Sequence, residues 1–319
     1  MMLTVENLSV TFATQRGALR AVDHVGFSLA PGRTLAVVGE SGCGKSVTSL
    51  AIMGLLAENA RTEGRVIFEG RDLLTLPKAE RRKLRGGAMA MIFQEPMTSL
   101  NPAFTAGEQV AEALRVHEGL AADLALKRAI EMLDRVRIPE PARRAAAYPH
   151  QLSGGMRQRV MIAMALACKP RLLIADEPTT ALDVTVQAQI LALLETLKRE
   201  TGTAILLVTH DLGVVADYAD DVVVMYAGRV AEAAPAQALF ARPEHPYTIG
   251  LLGAAPRFSA PGGRLANIAG TVPDLAAPPP GCRFAPRCPF VTSRCDTTPP
   301  LAEGPHQVAC WNAPLDAAA

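Results

Sequence analysis

Short runs of apolar residues alternate along most of the chain with stretches whose apolar positions have helical spacing. The clearest runs are residues 34–38, 172–175 and 204–208. Uniformly apolar strands of this length are typical of a parallel sheet that is covered on both faces. Between the last two runs, apolar residues in 186–198 recur with the period of a helix. The pattern therefore predicts strand, helix, strand units and an α/β fold.

One segment within this pattern reads as mostly helical. Residues of about 96–151 contain two stretches with helical spacing, 108–116 and 123–136, and prolines at 102, 139 and 149 bound them. We expect a helical subdomain inserted between strands of the α/β core.

The composition changes after about residue 240. Residues 241–319 hold 14 of the 24 prolines and four of the six cysteines. Proline interrupts helices and central strands, so this segment should be a loop-rich extension that needs its own staple. We therefore predict one domain over 1–240 and an extension over 241–319.

Charge and hydropathy exclude some classes of function. Lys and Arg number 32 against 31 Asp and Glu, and a net charge of +1 gives no electrostatic reason to expect a nucleic acid partner. No apolar run approaches the roughly 18 residues of a membrane-spanning helix, and no basic segment followed by an apolar one marks a signal peptide. We expect a cytoplasmic protein.

A phosphate-binding loop follows the strand predicted at residues 34–38. Gly39-Glu-Ser-Gly-Cys-Gly-Lys45-Ser46 matches the pattern Gly-x-x-x-x-Gly-Lys-Ser and opens an apolar helix. Backbone N–H groups of such a loop surround phosphate oxygens, Lys45 contacts the β and γ phosphates, and the Ser46 hydroxyl binds Mg²⁺. The variable position 43 is read as a small filler. The residues expected to contact the nucleotide are Gly39, Ser41, Gly42, Cys43, Gly44, Lys45, Ser46 and Val47.

Two carboxylates end the predicted strand at 172–175. Asp176 is expected to support Mg²⁺ and Glu177 to polarise the attacking water. Together with the phosphate-binding loop, this pair predicts a nucleoside triphosphatase and leaves kinases, GTPases and helicases open.

A third motif separates these alternatives. Residues 152–159, Leu-Ser-Gly-Gly-Met-Arg-Gln-Arg, resemble the signature sequence of ABC ATPases. Ser153, Gly154 and Gly155 would form a second phosphate-binding helix N-terminus. The resemblance implies that this terminus faces the γ-phosphate of ATP held by a partner subunit, so that two heads close around two nucleotides. It also implies a P-loop NTPase core of the RecA-like type.

Further family landmarks occur in the expected order. Gln94 resembles the glutamine that contacts Mg²⁺ and the attacking water, and Ala181-Leu182-Asp183 resembles the loop that crosses the dimer interface. His210 resembles the switch histidine that holds the γ-phosphate. Phe12 stands where the family has an aromatic ring on adenine, and a plain core role explains it equally well. Because none of these positions is replaced, we expect a site competent for hydrolysis.

Segments 91–102 and 242–252, with the cysteine-rich extension, look like the ATPases of bacterial dipeptide, oligopeptide and nickel importers. The resemblance implies a second homologous ATPase in a heterodimer, two membrane permeases and an extracytoplasmic solute-binding protein, at the cytoplasmic face of the inner membrane. Alternatives are a nickel importer, a soluble ABC ATPase acting on nucleic acid, and a regulatory protein that does not hydrolyse ATP. A single phosphate-binding loop and no sustained heptads oppose the nucleic acid alternative.

The four cysteines of the extension predict a metal site. Disulfides are disfavoured in a reducing cytosol, and some relatives with this extension carry a [4Fe-4S] cluster. Four thiolates also suit zinc, and an extension without metal stays open. The cysteines concerned are Cys282, Cys288, Cys295 and Cys310.

Overall fold

Two β-sheets of different kinds form the framework of the chain. The computed structural model describes residues 1–15, 17–94, 99–179, 184–255, 257 and 267–314. In that part of the chain the strands are β1 (Leu3–Thr14), β2 (Gly17–Leu29), β3 (Thr34–Val38), β4 (Ala60–Phe68), β5 (Arg71–Asp72), β6 (Met89–Ile92), β7 (Leu172–Asp176), β8 (Ala204–Thr209), β9 (Asp221–Tyr226), β10 (Arg229–Pro235) and β11 (Gln307–Val308).

The helices lie mainly between these strands. They are α1 (Lys45–Met53), α2 (Lys78–Leu84), α3 (Ala106–Glu118), α4 (Ala122–Arg135), α5 (Pro141–Ala145), α6 (Gly154–Leu166), α7 (Val184–Thr201), α8 (Leu212–Tyr218), α9 (Ala236–Ala241) and α10 (Pro246–Ala254).

The larger sheet has the strand order β11-β10-β9-β3-β8-β7-β6. Strands β9, β3, β8, β7 and β6 pair in parallel, whereas β10 and β11 add antiparallel strands at one edge. Every residue of β3 and β7 is buried, as expected for strands covered on both faces. The loops after β3, β6, β7 and β8 leave the same edge of this sheet, which is where ligands bind in open parallel sheets.

A smaller antiparallel sheet, in the order β2-β1-β4-β5, covers one face of the larger one. Apolar side chains of both sheets and of α1 form a common core there. The sequence analysis did not predict this sheet. Its strands are irregular, because register shifts interrupt the pairing of β1 with both β2 and β4.

The residues predicted as a helical insertion, about 96–151, include α3, α4 and α5, and α6 follows them. Thr105 is the N-cap of helix α3, and its side chain accepts the Glu108 N–H at 3.3 Å. The helices share a core with the other face of the larger sheet. A Cβ on Gly107 would lie 2.8 Å from the Ala145 Cβ and 3.0 Å from the Ala145 carbonyl oxygen, so α3 and α5 pack closely there.

The C-terminal segment packs onto the rest of the chain. Tyr247 and Phe284 are buried in a third core beside β9 and β10. The segment predicted to be loop-rich contains the helix α10 and the two-residue strand β11. Pro246 takes the first position of α10, where its missing N–H costs nothing.

No helix in the described ranges is long and apolar enough to cross a bilayer.

Candidate ATP-hydrolysing site

The loop between β3 and α1 has a backbone that only glycine can adopt at two points. Gly39 and Gly44 have φ angles of 152° and 99°. A Cβ on Gly39 would lie 2.2 Å from the Met225 carbonyl oxygen, and one on Gly44 would lie 2.6 Å from that of Ala21. The glycines therefore let the loop pass directly against neighbouring backbone, as a phosphate-binding loop requires.

Lys45 lies inside this loop. Its side chain is buried, and its Nζ donates to the carbonyl oxygens of Gly39 at 2.7 Å and Glu40 at 3.1 Å. The ammonium is thus held in the centre of the loop by neutral acceptors, which a phosphate can replace. Cys43 is also buried, and burial raises the pKa of its thiol. This placement suits the interpretation of position 43 as a small filler.

A hydroxyl and a carboxylate meet beside the loop. Ser46 Oγ donates to Asp176 Oδ1 at 3.1 Å. Burial raises the pKa of Asp176, and the charge of Glu177 adds to the effect, while Ser46 and Lys45 oppose it. Hard oxygen donors of this kind are the ligands that Mg²⁺ prefers, so both residues fit the predicted metal role.

Three predicted catalytic side chains lie together, with Glu177 in contact with both Gln94 and His210. Gln94 Nε2 donates to Glu177 Oε2 at 3.1 Å, and His210 Nδ1 lies 3.4 Å from Oε1. Glu177 itself has a φ of 46°, in the left-handed region that non-glycine residues rarely occupy, and its N–H donates to the Val208 carbonyl oxygen at 2.8 Å. The three residues follow the adjacent strands β6, β7 and β8, which explains why they converge.

The signature segment forms the start of α6. Ser153 caps the helix by accepting the Met156 N–H at 3.3 Å, and both Ser153 and Gly154 are exposed. Gln158, one turn further, donates from Nε2 to the Pro178 carbonyl oxygen at 2.5 Å. The helix that carries the signature is therefore tied to the segment that carries Glu177. The sequence analysis did not single out this glutamine.

The structure supports no nucleotide role for two of the predicted contacts, Phe12 and Asp183. Phe12 is half-buried and packs against the core between the sheets. That placement suits the core interpretation and leaves the adenine role a prediction. Asp183, with Ala181 and Leu182, lies outside the described residues.

The tail cysteines lie near one another. Burial raises the pKa values of Cys282, Cys288 and Cys310, and each of these thiols is further affected by the charges of its cysteine neighbours, Cys295 included. In the described part of the chain, however, no group of three or more His, Cys, Asp or Glu side chains is placed to hold a metal ion. The arrangement therefore does not support the expected [4Fe-4S] or zinc site.

One contact to the loop had no signal in the sequence. Arg287, in the C-terminal segment, donates to both carboxylate oxygens of Glu40, at 2.6 and 3.1 Å. Tyr247 accepts the Glu40 N–H at 2.8 Å through its hydroxyl oxygen. These partners are more than 200 residues from the loop in sequence, so no spacing rule could have found them.

Comparison with known proteins agrees with this geometry. The profile of the ABC transporter family matches residues 22–180, and that of the oligopeptide/dipeptide transporter C-terminal region matches residues 231–295. An oligopeptide transport ATP-binding protein of Haemophilus influenzae is 53% identical over 97% of both chains. A dipeptide transport ATP-binding protein of Bacillus subtilis is 52% identical over 97% of this chain and 94% of its own.

A solved structure shares the fold. The ATP-binding cassette MJ0796, a dimer in a post-hydrolysis state with ADP and phosphate, superimposes with a TM-score of 0.68 at 31% identity, covering 74% of this chain and 99% of its own.

A phosphate-binding loop, a hydroxyl and carboxylate pair beside it and a glutamate directly after that carboxylate at the end of β7 define a P-loop nucleoside triphosphatase. The helical insertion and its signature helix narrow the class to ATP-binding cassettes. The chain belongs to the ATP-binding, ATP-hydrolysing subunits of the ABC transporter family, in the group of the oligopeptide and dipeptide transport proteins.

Proposed function

We propose that this chain hydrolyses ATP to power a bacterial importer of oligopeptides or dipeptides. The convergence of Gln94 and His210 on the Glu177 carboxylate carries the catalytic part of the proposal. The peptide part is supported by the names of the relatives, which describe oligopeptide and dipeptide transport. Nothing comparable favours nickel import or a nucleic acid substrate.

The residues divide the work of hydrolysis. Lys45 exchanges its two carbonyl acceptors for the β and γ phosphates of ATP. Glu177 accepts a hydrogen bond from a water molecule and orients it for attack on the γ-phosphorus, while Gln94 and His210 fix the carboxylate. Mg²⁺, when bound, neutralises charge on the phosphate oxygens. The water oxygen bonds to the γ-phosphorus as the bond to the β–γ bridging oxygen breaks, and Glu177 accepts the proton that the water releases, giving ADP and phosphate.

The proposed assembly contains more than this chain. A second, homologous ATPase subunit would supply the other head of a heterodimer, and two membrane permeases would receive the helical insertion at the cytoplasmic face of the inner membrane. An extracytoplasmic protein would deliver the solute. The dimeric state of the MJ0796 cassette supports the pairing of heads.

Two substitutions test the proposed chemistry. Glu177→Gln should keep ATP affinity within about twofold but lower the hydrolysis rate roughly 100-fold or more, because the amide orients water without accepting its proton. Lys45→Ala should lose ATP binding. Steady-state phosphate release and equilibrium nucleotide binding measure the two effects. An unchanged hydrolysis rate in the Glu177→Gln protein would overturn the proposal.

Metal binding by the tail is a finer proposal. The observation in its favour is a pair of amide donors to sulfur, from Phe290 to Cys288 and from Asn312 to Cys310, both at 3.4 Å. Such N–H donors stabilise metal-bound thiolates. Because the present arrangement is not a complete ligand set, binding would require the thiols to move closer.

Metal analysis tests this proposal directly. The chain is purified without air and compared with a protein in which the four tail cysteines are serine. About four iron atoms per chain with broad visible absorption, both absent from the control, would support a cluster, and one zinc ion would support a zinc staple. Equal metal content in the two proteins would contradict metal binding by these cysteines.

A further inference from the structure

The phosphate-binding loop carries a carboxylate that the proposed mechanism does not use. Glu40 is the second residue of the loop, and its own carbonyl oxygen accepts a hydrogen bond from Lys45 at 3.1 Å. An unpaired negative charge at this position would repel the phosphates of ATP. The structure pairs it with a single cation from the C-terminal segment, Arg287.

The Arg287 side chain is held by several hydrogen-bond partners. Arg287 binds the carboxylate of Glu40 through both terminal nitrogens, and its side chain is only 4% exposed. Its remaining donors reach the carbonyl oxygens of Ala269 at 2.9 Å and Ile268 at 3.1 Å and the hydroxyl of Tyr226 at 3.4 Å. A forked pair whose arginine is buried fixes geometry as well as charge.

The backbone of Glu40 is held from the same side. Its N–H donates to the hydroxyl of Tyr247, a residue of α10 that is fully buried. The guanidinium of Arg287 lies 5.8 Å from the ring centre of Tyr226, and that ring packs against Tyr247. Both the side chain and the backbone of Glu40 therefore depend on groups outside the loop.

We propose that Arg287 is a positioning residue of the ATP site, which cancels the charge of Glu40 and fixes the loop so that the C-terminal segment sets the affinity for ATP. This inference rests on the proposed function, because it assigns a further residue to the same nucleotide site. It makes the C-terminal segment part of the ATPase rather than an accessory to it.

Charge deletion and charge rescue test the proposal. Arg287→Met removes the cation and keeps much of the bulk, so the Kd for ATP should rise roughly tenfold while kcat at saturating ATP stays within about twofold. Adding Glu40→Gln to this protein removes the unpaired carboxylate and should restore the Kd to within about threefold of the original chain. A purely structural role for Arg287 would not be rescued in this way.

The chain offers a matched control in the same segment. Arg294 is exposed and stacks on Trp311 at 4.9 Å, so Arg294→Met makes the same charge change without touching the loop. It should leave the Kd unchanged. Glu40→Gln alone should bind ATP at least as tightly as the original chain, which provides a test even if the Arg287→Met protein fails to fold.

The outcomes separate this inference from the proposed function. Binding is measured with a fluorescent ATP analogue on the full chain, and the hydrolysis rate is measured in parallel. If the original chain binds ATP and Arg287→Met binds it equally well, or if Glu40→Gln weakens binding, the role of Arg287 is overturned while the ATPase proposal stands. If the original chain binds no ATP, the proposed function itself fails.

Discussion

His245 shows how closely single residues of the C-terminal segment are fitted to the fold. It caps α10, because its Nδ1 accepts the Tyr247 N–H at 3.0 Å, and its own N–H donates to Glu232 at 2.9 Å. Burial lowers the pKa of the His245 ring to about 4, although a hydrogen bond to the backbone of Ala309 acts to raise it. The imidazole is therefore held neutral in the folded chain.

This residue makes stability depend on pH. Because the folded pKa of His245 is below the unfolded value of 6.5, the unfolded chain takes up the proton first as pH falls. Stability is therefore full above about pH 6.5 and is lost between 6.5 and 4, by about 2 kcal/mol at pH 5. Urea unfolding, followed by the fluorescence of Trp311, the single tryptophan, measures this loss.

A variant that lacks this histidine isolates its contribution from that of the rest of the chain. In His245→Asn the amide oxygen can still accept the Tyr247 N–H. The variant should be less stable at pH 7 but should lose about 2 kcal/mol less between pH 7 and pH 5. If the free energy of unfolding changed with pH equally in the two proteins, His245 would not be the cause of the loss of stability at low pH.

Motif order predicted the side chains of the nucleotide site, and the structure places Gln94 and His210 beside Glu177. Motifs could do this because each of these residues follows a strand, and parallel strands bring their carboxyl ends to one edge. The partners of Glu40 follow no such rule. Arg287 lies in a segment with no periodic pattern, so only the folded chain shows that it reaches the loop.

At the scale of elements, uniform apolar runs were the most reliable signal. The run 34–38 is β3, and the runs 172–175 and 204–208 lie within β7 and β8. Burial on both faces makes such strands apolar throughout, so they are visible without any partner. The helix predicted over 186–198 lies within α7.

The smaller sheet was missed because its strands do not alternate regularly. Along β1 the pattern of buried positions breaks at Asn7, which has a φ of 49°. Opposite it, a Cβ on Gly64 would lie 2.5 Å from the Asn7 carbonyl oxygen, which fixes a bulge between β1 and β4. A bulge changes which side chains face the core, so a search for period two cannot follow the strand.

At the scale of the whole molecule, the proposed pairing of heads would give each chain two half-sites. The phosphate-binding loop is complete in itself, whereas Ser153 and Gly154 at the start of α6 are exposed. A Cβ on Gly154 would meet no other atom within 4 Å. An exposed helix N-terminus of this kind suits an anion held by another subunit, as in the proposed pairing of heads.

ATP should therefore drive association of two heads. In the Glu177→Gln chain, mixed with its partner ATPase, sedimentation should show a stable pair with ATP and separate subunits without it. Adding Ser153→Arg should weaken this association at least tenfold, because the bulky side chain blocks the helix N-terminus, while ATP affinity of the chain itself stays unchanged. Pairing that ignores Ser153→Arg would show that the signature helix is not at the interface.

The contacts of Arg287 and Tyr247 with Glu40 also have a consequence for the order in which the chain is synthesised. Proteins are made from the N-terminus, and Glu40 is synthesised 247 residues before Arg287. At about 5–20 residues per second, that interval is roughly 12–50 s. Throughout this interval the loop of the growing chain lacks Arg287, and for most of it the loop also lacks Tyr247. A ribosome-bound head should therefore bind ATP weakly, so that newly made subunits do not pair before residue 287 has been added.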